Sequence, residues 1–128
     1  MASNGKQIGK NKSWAQSFRH ALAGVALLRT ERNARLELLW AFVSIVAAAL
    51  LRLEWYRWVV LLLVVTSVFA AEALNTAIER AVDAAIGAHY NQSAKEAKDL
   101  AAGFVLLIAG VAIISAFWLF GPALLRLL

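Results

Sequence analysis

From Leu100 to Leu125 the chain runs without one charged side chain, and this feature limits its fold more severely than any other. A hydrocarbon core of about 30 Å takes ~20 helical residues to cross. The stretch is long enough to span a bilayer. Two shorter runs precede it: LLWAFVSIVAAALL lies between Glu37 and Arg52, and fourteen uncharged residues extend from Trp58 to Ala71. To cross as helices, the first must borrow from Ala34 to Glu37 and the second must continue through Glu72. The expectation is an all-α membrane protein forming one domain over 1–128, with spans at 34–51, 57–86 (including a cytoplasmic extension) and 98–125. Pro122 comes only at the end of the third run, where it is expected to do no harm. Composition agrees, because 62% of residues are hydrophobic and only 16% charged, outside the ordinary range of soluble domains.

Upstream, Trp14, Phe18, Ala21, Leu22 and Val25 recur at steps of three and four, with Lys12, Gln16, Arg19 and His20 between them. A helix over 13–30 is expected, amphipathic and suited either to the headgroup layer or to packing on the bundle. Residues 1–35 carry seven Lys and Arg and the segment from Arg80 to Lys98 three, against three on the other side. That asymmetry predicts a multi-pass inner or plasma membrane protein with a cytoplasmic N-terminus. Trp55, Tyr56 and Trp58 then form an aromatic girdle at the opposite interface, where Trp118 can join them. The net charge of +5 flanks apolar runs and no nucleic-acid motif accompanies it, so the expected acidic partner is a membrane surface. MASNGKQIGKNKSW lacks the apolar core and cleavage site of a signal peptide, so uncleaved insertion is expected. GKQIGKNKS departs from a phosphate loop in glycine spacing, in the residue after Lys10 and in having no preceding strand.

The second span ends in acids. At 100° per residue Glu72, Asn75, Glu79 and Asp83 fall at about 0°, 300°, 340° and 20°, a single stripe on one face. By depth, Glu72 lies near the inner membrane boundary, where a carboxylate is costly and tends to mark a functional site. Asp83, and to a smaller degree Glu79, also fit a solvated face beyond the bilayer. An all-oxygen site of few carboxylates is one that magnesium accepts when nucleotide phosphates supply further ligands. Zinc does not suit it, since cysteine is absent and His20 and His89 have no partner histidine at ligand spacing; both read as polar surface residues. Glu31, among three arginines just before the first span, adds a second source of carboxylate, with pairing to Arg35 at i+4 as its structural alternative. Lys98 and Asp99 open the third. Such a rim can assemble a phosphoryl-transfer site, in which metal and lysine neutralise oxygen charge and a carboxylate takes a hydroxyl proton. An ion-coupled transporter would also keep a membrane glutamate, and a non-enzymatic assembly protein would need no buried acid.

AEALNTAIERAVD, with RTERNAR before it and AKEAKDLAAGFVL after it, resembles the prokaryotic diacylglycerol kinase and undecaprenol kinase family, from about Ser17 to Phe117. The resemblance implies a homotrimeric membrane kinase with a surface helix and three transmembrane helices per subunit, its sites shared between neighbours. It implies Mg2+ with ATP as phosphoryl donor and a membrane lipid alcohol as acceptor. By motif, Glu72 is the general base and meets the substrate, and Glu31 and Glu79 hold magnesium. Asn75 supports the phosphates, Lys98 and Asp99 contact the nucleotide, and Asp83 has a nucleotide or structural role. Tyr90 in HYNQ matches a nucleotide-side tyrosine, although His89 and Asn91 depart from the family's usual neighbours. Lys12 is the basic N-terminal position that meets phosphate. RTERN and KDLAAG look more like the undecaprenol kinase branch, since the diacylglycerol branch tends to place serine where Ala102 stands in the substrate site. Undecaprenol is therefore the expected acceptor, with diacylglycerol as the alternative.

Overall fold

A computed structural model describes residues 13–87 and 89–127; Lys12 lies outside them. Four helices follow in order: α1 (Trp14–Leu28), α2 (Arg32–Leu50), α3 (Trp55–Ile86) and α4 (Gln92–Leu125). No strand occurs among the described residues. The helices α2, α3 and α4 are each long and apolar enough to cross a membrane. At ~1.5 Å per residue, the 32 residues of α3 outrun the hydrocarbon core. Its acidic end therefore continues a membrane helix.

Local chemistry sets the boundaries. Ser13 is extended and its hydroxyl accepts the Gln16 N–H at 3.2 Å, starting α1. The link to α2 is one tight turn, in which the Thr30 backbone and hydroxyl both donate to the Leu27 carbonyl. Gly87 closes α3 at φ 61° and ψ −135°, a conformation that side-chain-bearing residues rarely adopt. Asn91 then caps α4, its Oδ1 accepting the Ala94 N–H at 3.0 Å. Because of that cap, α4 starts at Gln92, well before the expected 98. Gln92–Glu96 and Lys95–Asp99 contacts at i,i+4 support the added turns outside the apolar run.

Packing is centred on α3, which lies mainly against α4 and also contacts α2. At the end opposite the acids, Ala48, Leu53, Leu61 and Leu119 form a buried cluster around the short α2–α3 turn. Trp58 packs against that cluster, while Trp55, Tyr56 and Trp118 remain exposed; Tyr56 meets Trp118 at 6.5 Å between ring centres. Pro122 lies inside α4 and is not without effect. Lacking an N–H, it leaves the Trp118 carbonyl without its usual donor. Arg57 supplies one, its Nη1 donating to the Trp118 oxygen at 3.1 Å and the Leu119 oxygen at 2.6 Å. Large apolar side chains such as Leu39, Phe42, Leu106, Ile114 and Phe117 point outward. In water such a surface would aggregate; in a bilayer it meets lipid, and the protein is a membrane protein.

Candidate active site

The site grows out of the packing stripe of α3. Leu61, Val65 and Val68 fall on the same side of this helix as Glu72, Asn75, Glu79 and Asp83 at 100° per residue. The face that packs in the membrane therefore turns acidic toward the C-terminal part of α3. Burial falls along it in the same order: Glu72 is 4% exposed and Asn75 9%, Glu79 is half-buried and Asp83 is exposed. Glu72 and Asn75 are the buried polar side chains among the described residues. The Asn75 Oδ1 has no hydrogen-bond partner, an unusual cost for a buried acceptor.

Two ion pairs tie the other helices to this face. Arg80 donates to the Glu31 carboxylate at 2.5 Å, so Glu31 at the start of α2 is joined to α3 and not to Arg35. Lys98 of α4 donates to Asp83 at 2.9 Å. Asp83, Tyr90, Lys98 and Asp99 share one polar groove of about 440 Å3 at the α3–α4 connection. His89, an exposed surface residue as expected, also borders it. The Tyr90 hydroxyl donates to Gln92 Oε1, and Lys95 holds Asp99. Ala102 is exposed and lies on the α4 side shared by Lys98 and Ala109.

A hard cation fits this donor set in part. The oxygens of Glu31 and Glu79, and the unpartnered Asn75 Oδ1, suit magnesium, and thiolates are absent. Among the described residues no three acidic or histidine side chains converge on one point. A magnesium ion held there would need further ligands from phosphate, water or a neighbouring chain.

Glu37 was passed over in the sequence, where it served only as the boundary of an apolar run. It is half-buried on α2, its Oε2 has no partner, and the charge acting on it is that of Glu72. The helical period held the signal, since Glu37 falls on the face of α2 that carries Ala41, Ser44 and the buried Ala48.

Residues 19–120 match the family model of prokaryotic diacylglycerol kinase. The chain belongs to this family of lipid kinases. It is 45% identical over 113 residues to a diacylglycerol kinase of Synechocystis sp., a match covering 88% of this chain and 65% of that protein's length. It is 36% identical over 110 residues to the undecaprenol kinase of Bacillus subtilis, covering 85% of this chain and 89% of the relative. No solved structure matches. The two names agree on a lipid kinase and differ on the lipid.

Proposed function

We propose that this protein transfers the γ-phosphoryl group of ATP to the hydroxyl of a membrane lipid alcohol at the cytoplasmic interface, with undecaprenol as the acceptor and undecaprenyl phosphate as the product. The burial of Glu72 at the inner end of a membrane helix carries the reading. A long-chain alcohol keeps its hydroxyl at that depth while ATP arrives from the cytosol.

Glu72 acts as general base. It takes the hydroxyl proton as the lipid oxygen forms its bond to the γ-phosphorus and the bond to the ADP oxygen breaks. Glu31 and Glu79 would hold Mg2+, with Arg80 keeping the Glu31 carboxylate against α3. Bound there, the ion would neutralise charge on the phosphate oxygens. Lys98, oriented by Asp83, and Asp99 and Tyr90 form the nucleotide side, where the polar groove lies. Asn75 lies between base and nucleotide on the α3 stripe, its free acceptor available to a phosphate-bound water or metal. Lys12 is assigned to phosphate by motif alone. The protein works as a homotrimer whose sites draw on neighbouring subunits, and its N-terminus is cytoplasmic. The open polar groove and the Lys and Arg asymmetry support these two statements.

The undecaprenol assignment rests on RTERN, KDLAAG and Ala102. The higher identity to the Synechocystis protein favours diacylglycerol as the second reading. Purified protein assayed with Mg-ATP and each lipid at matched surface fraction in the same micelles separates them by kcat/KM. Undecaprenol is expected to be preferred. A tenfold preference for diacylglycerol would reverse the assignment, and phosphorylation of neither lipid would remove the kinase reading.

A further inference from the structure

Of the Lys and Arg in this chain, only Arg52, Arg57 and Arg126 lie outside residues 1–35 and 80–98. All three line one small pocket, together with Glu54 and Pro122, where the C-terminus of α4 meets the α2–α3 turn at the end of the bundle opposite the acids. Its volume of about 10 Å3 is room for a single water-sized oxygen. Cations gathered around one carboxylate repel each other unless a further anion joins them. The three ion pairs among the described residues all lie at the acidic end, and neither Arg52 nor Arg126 has a side-chain partner among those residues. Glu54 begins α3 without capping it through its side chain.

Arg52 also stands where helices usually end in glycine. The Arg52 N–H donates to the Ala49 carbonyl at 3.1 Å and the Leu53 N–H to the Ala48 carbonyl at 3.0 Å, while Leu53 packs with Ala48 in the buried cluster. This ending needs a left-handed backbone between Leu51 and Leu53, and Arg52 adopts it at φ 50°. A side-chain-bearing residue is strained there. The guanidinium thus comes with a cost that folding does not require. Arg57, by contrast, is fixed in place. Its Nη1 is held by the Trp118 and Leu119 carbonyls and its guanidinium carbon lies 5.1 Å from the Trp118 ring centre, while Nε and Nη2 make no hydrogen bond among the described residues. Trp55, Tyr56 and Trp118 are exposed around it, as aromatic side chains are at headgroup depth.

We propose that Arg52, Arg57 and Arg126 form a binding site for the phosphate of an anionic phospholipid, in the leaflet at the end of the bundle opposite the acidic stripe. One phosphate oxygen enters the pocket, and the exposed guanidiniums of Arg52 and Arg126 donate to the others from the surface. The chemistry of the site selects the occupant. Glu54 offsets only one of the three positive charges, so a zwitterionic headgroup would bring its ammonium against the surplus and a lipid of net negative charge is preferred. Leu50 and Leu125, next in sequence to the lining, are exposed and offer apolar surface to acyl chains that a free phosphate lacks.

Arg57 also supports α4, so the test uses the other two arginines. Arg52→Gly removes the guanidinium and the backbone strain together, and Arg126→Gln removes a charge at an exposed position. Binding of dioleoylphosphatidylglycerol and dioleoylphosphatidylcholine to the full chain is measured in uncharged detergent micelles, with thermal unfolding as a second readout. The unmodified protein should bind phosphatidylglycerol about fivefold or more tightly than phosphatidylcholine, and each variant should lose about fivefold of the phosphatidylglycerol affinity, the effect of one arginine beside an anionic headgroup. Affinity for phosphatidylcholine should stay within about twofold, and so should the phosphatidylglycerol affinity of Arg19→Gln, an exposed cation on α1. Arg52→Gly should keep or raise the Tm in phosphatidylcholine, since the strain is gone, while losing the extra stability that phosphatidylglycerol gives. The proposal is overturned if both variants bind phosphatidylglycerol as the unmodified protein does, or if they lose both lipids in parallel. An equal loss in Arg19→Gln overturns it in favour of general charge attraction, and displacement of phosphatidylglycerol by inorganic phosphate overturns it in favour of an aqueous anion site.

Discussion

Arg57 should be the most sensitive stabilising residue at the interface opposite the acids. Pro122 deprives the Trp118 carbonyl of a donor, and the Arg57 guanidinium answers with bonds of 3.1 Å to that oxygen and 2.6 Å to the next. Hydrogen bonds to a charged group contribute roughly 1.5–3 kcal/mol net. Both bonds here come from one nitrogen, so they are counted once. The guanidinium carbon also lies 5.1 Å from the centre of the Trp118 ring and 5.9 Å from that of Tyr56, worth roughly 0.5–1 kcal/mol. Arg57→Ala should then cost about 2–4 kcal/mol, measured by reversible unfolding in micelles. Pro122→Ala returns an N–H to the Trp118 carbonyl. In that background the cost of Arg57→Ala should shrink by about 1 kcal/mol, a coupling that a double-mutant cycle isolates. An equal cost of Arg57→Ala in both backgrounds would refute the pairing of guanidinium with the proline-freed carbonyl.

Glu79→Ala should weaken metal-dependent nucleotide binding about tenfold or more by titration calorimetry, and Asp83→Ala less, because Asp83 is exposed and acts through Lys98; equal small losses would return Glu79 to a solvated face. Ala102→Ser should shift relative kcat/KM toward diacylglycerol, read in the two-lipid assay, since a hydroxyl there can bond an ester carbonyl; an unchanged ratio would take Ala102 out of the headgroup site. Co-reconstituting two inactive variants, Glu72→Gln and Lys98→Ala, should restore part of the turnover if sites are shared between subunits, and additive inactivity would point to sites complete within one chain.

The architecture was legible because membrane helices declare themselves by length. Uncharged runs marked α2, α3 and α4, and the steps from Trp14 to Val25 marked α1. The start of α4 was not legible from hydropathy, because Asn91 sets it through a side-chain cap outside the apolar run. The arrangement of Glu72 to Asp83 on one stripe followed from helical period, which needs only the sequence. Contacts between helices did not. Glu31 had a plausible partner at Arg35 within its own helix, and which arginine it meets depends on how α2 packs on α3. Glu37 was hidden for a similar reason: flanking an apolar run, it read as the edge of a span, and only packing shows its oxygen buried without a donor. Pro122 looked harmless at the end of a helix, and its freed carbonyl became visible only with Arg57 beside it.

The central claim is that Glu72, the buried acid of α3, is the base of a lipid kinase, and Glu72→Gln tests it most directly. Glutamine keeps the size and hydrogen-bonding reach but cannot take up the hydroxyl proton. With transfer of label from γ-labelled ATP to extracted lipid as the readout, the variant should fold, bind nucleotide as the unmodified protein does, and lose turnover by ~10²-fold or more. Near-normal labelling of the lipid by Glu72→Gln would contradict the account.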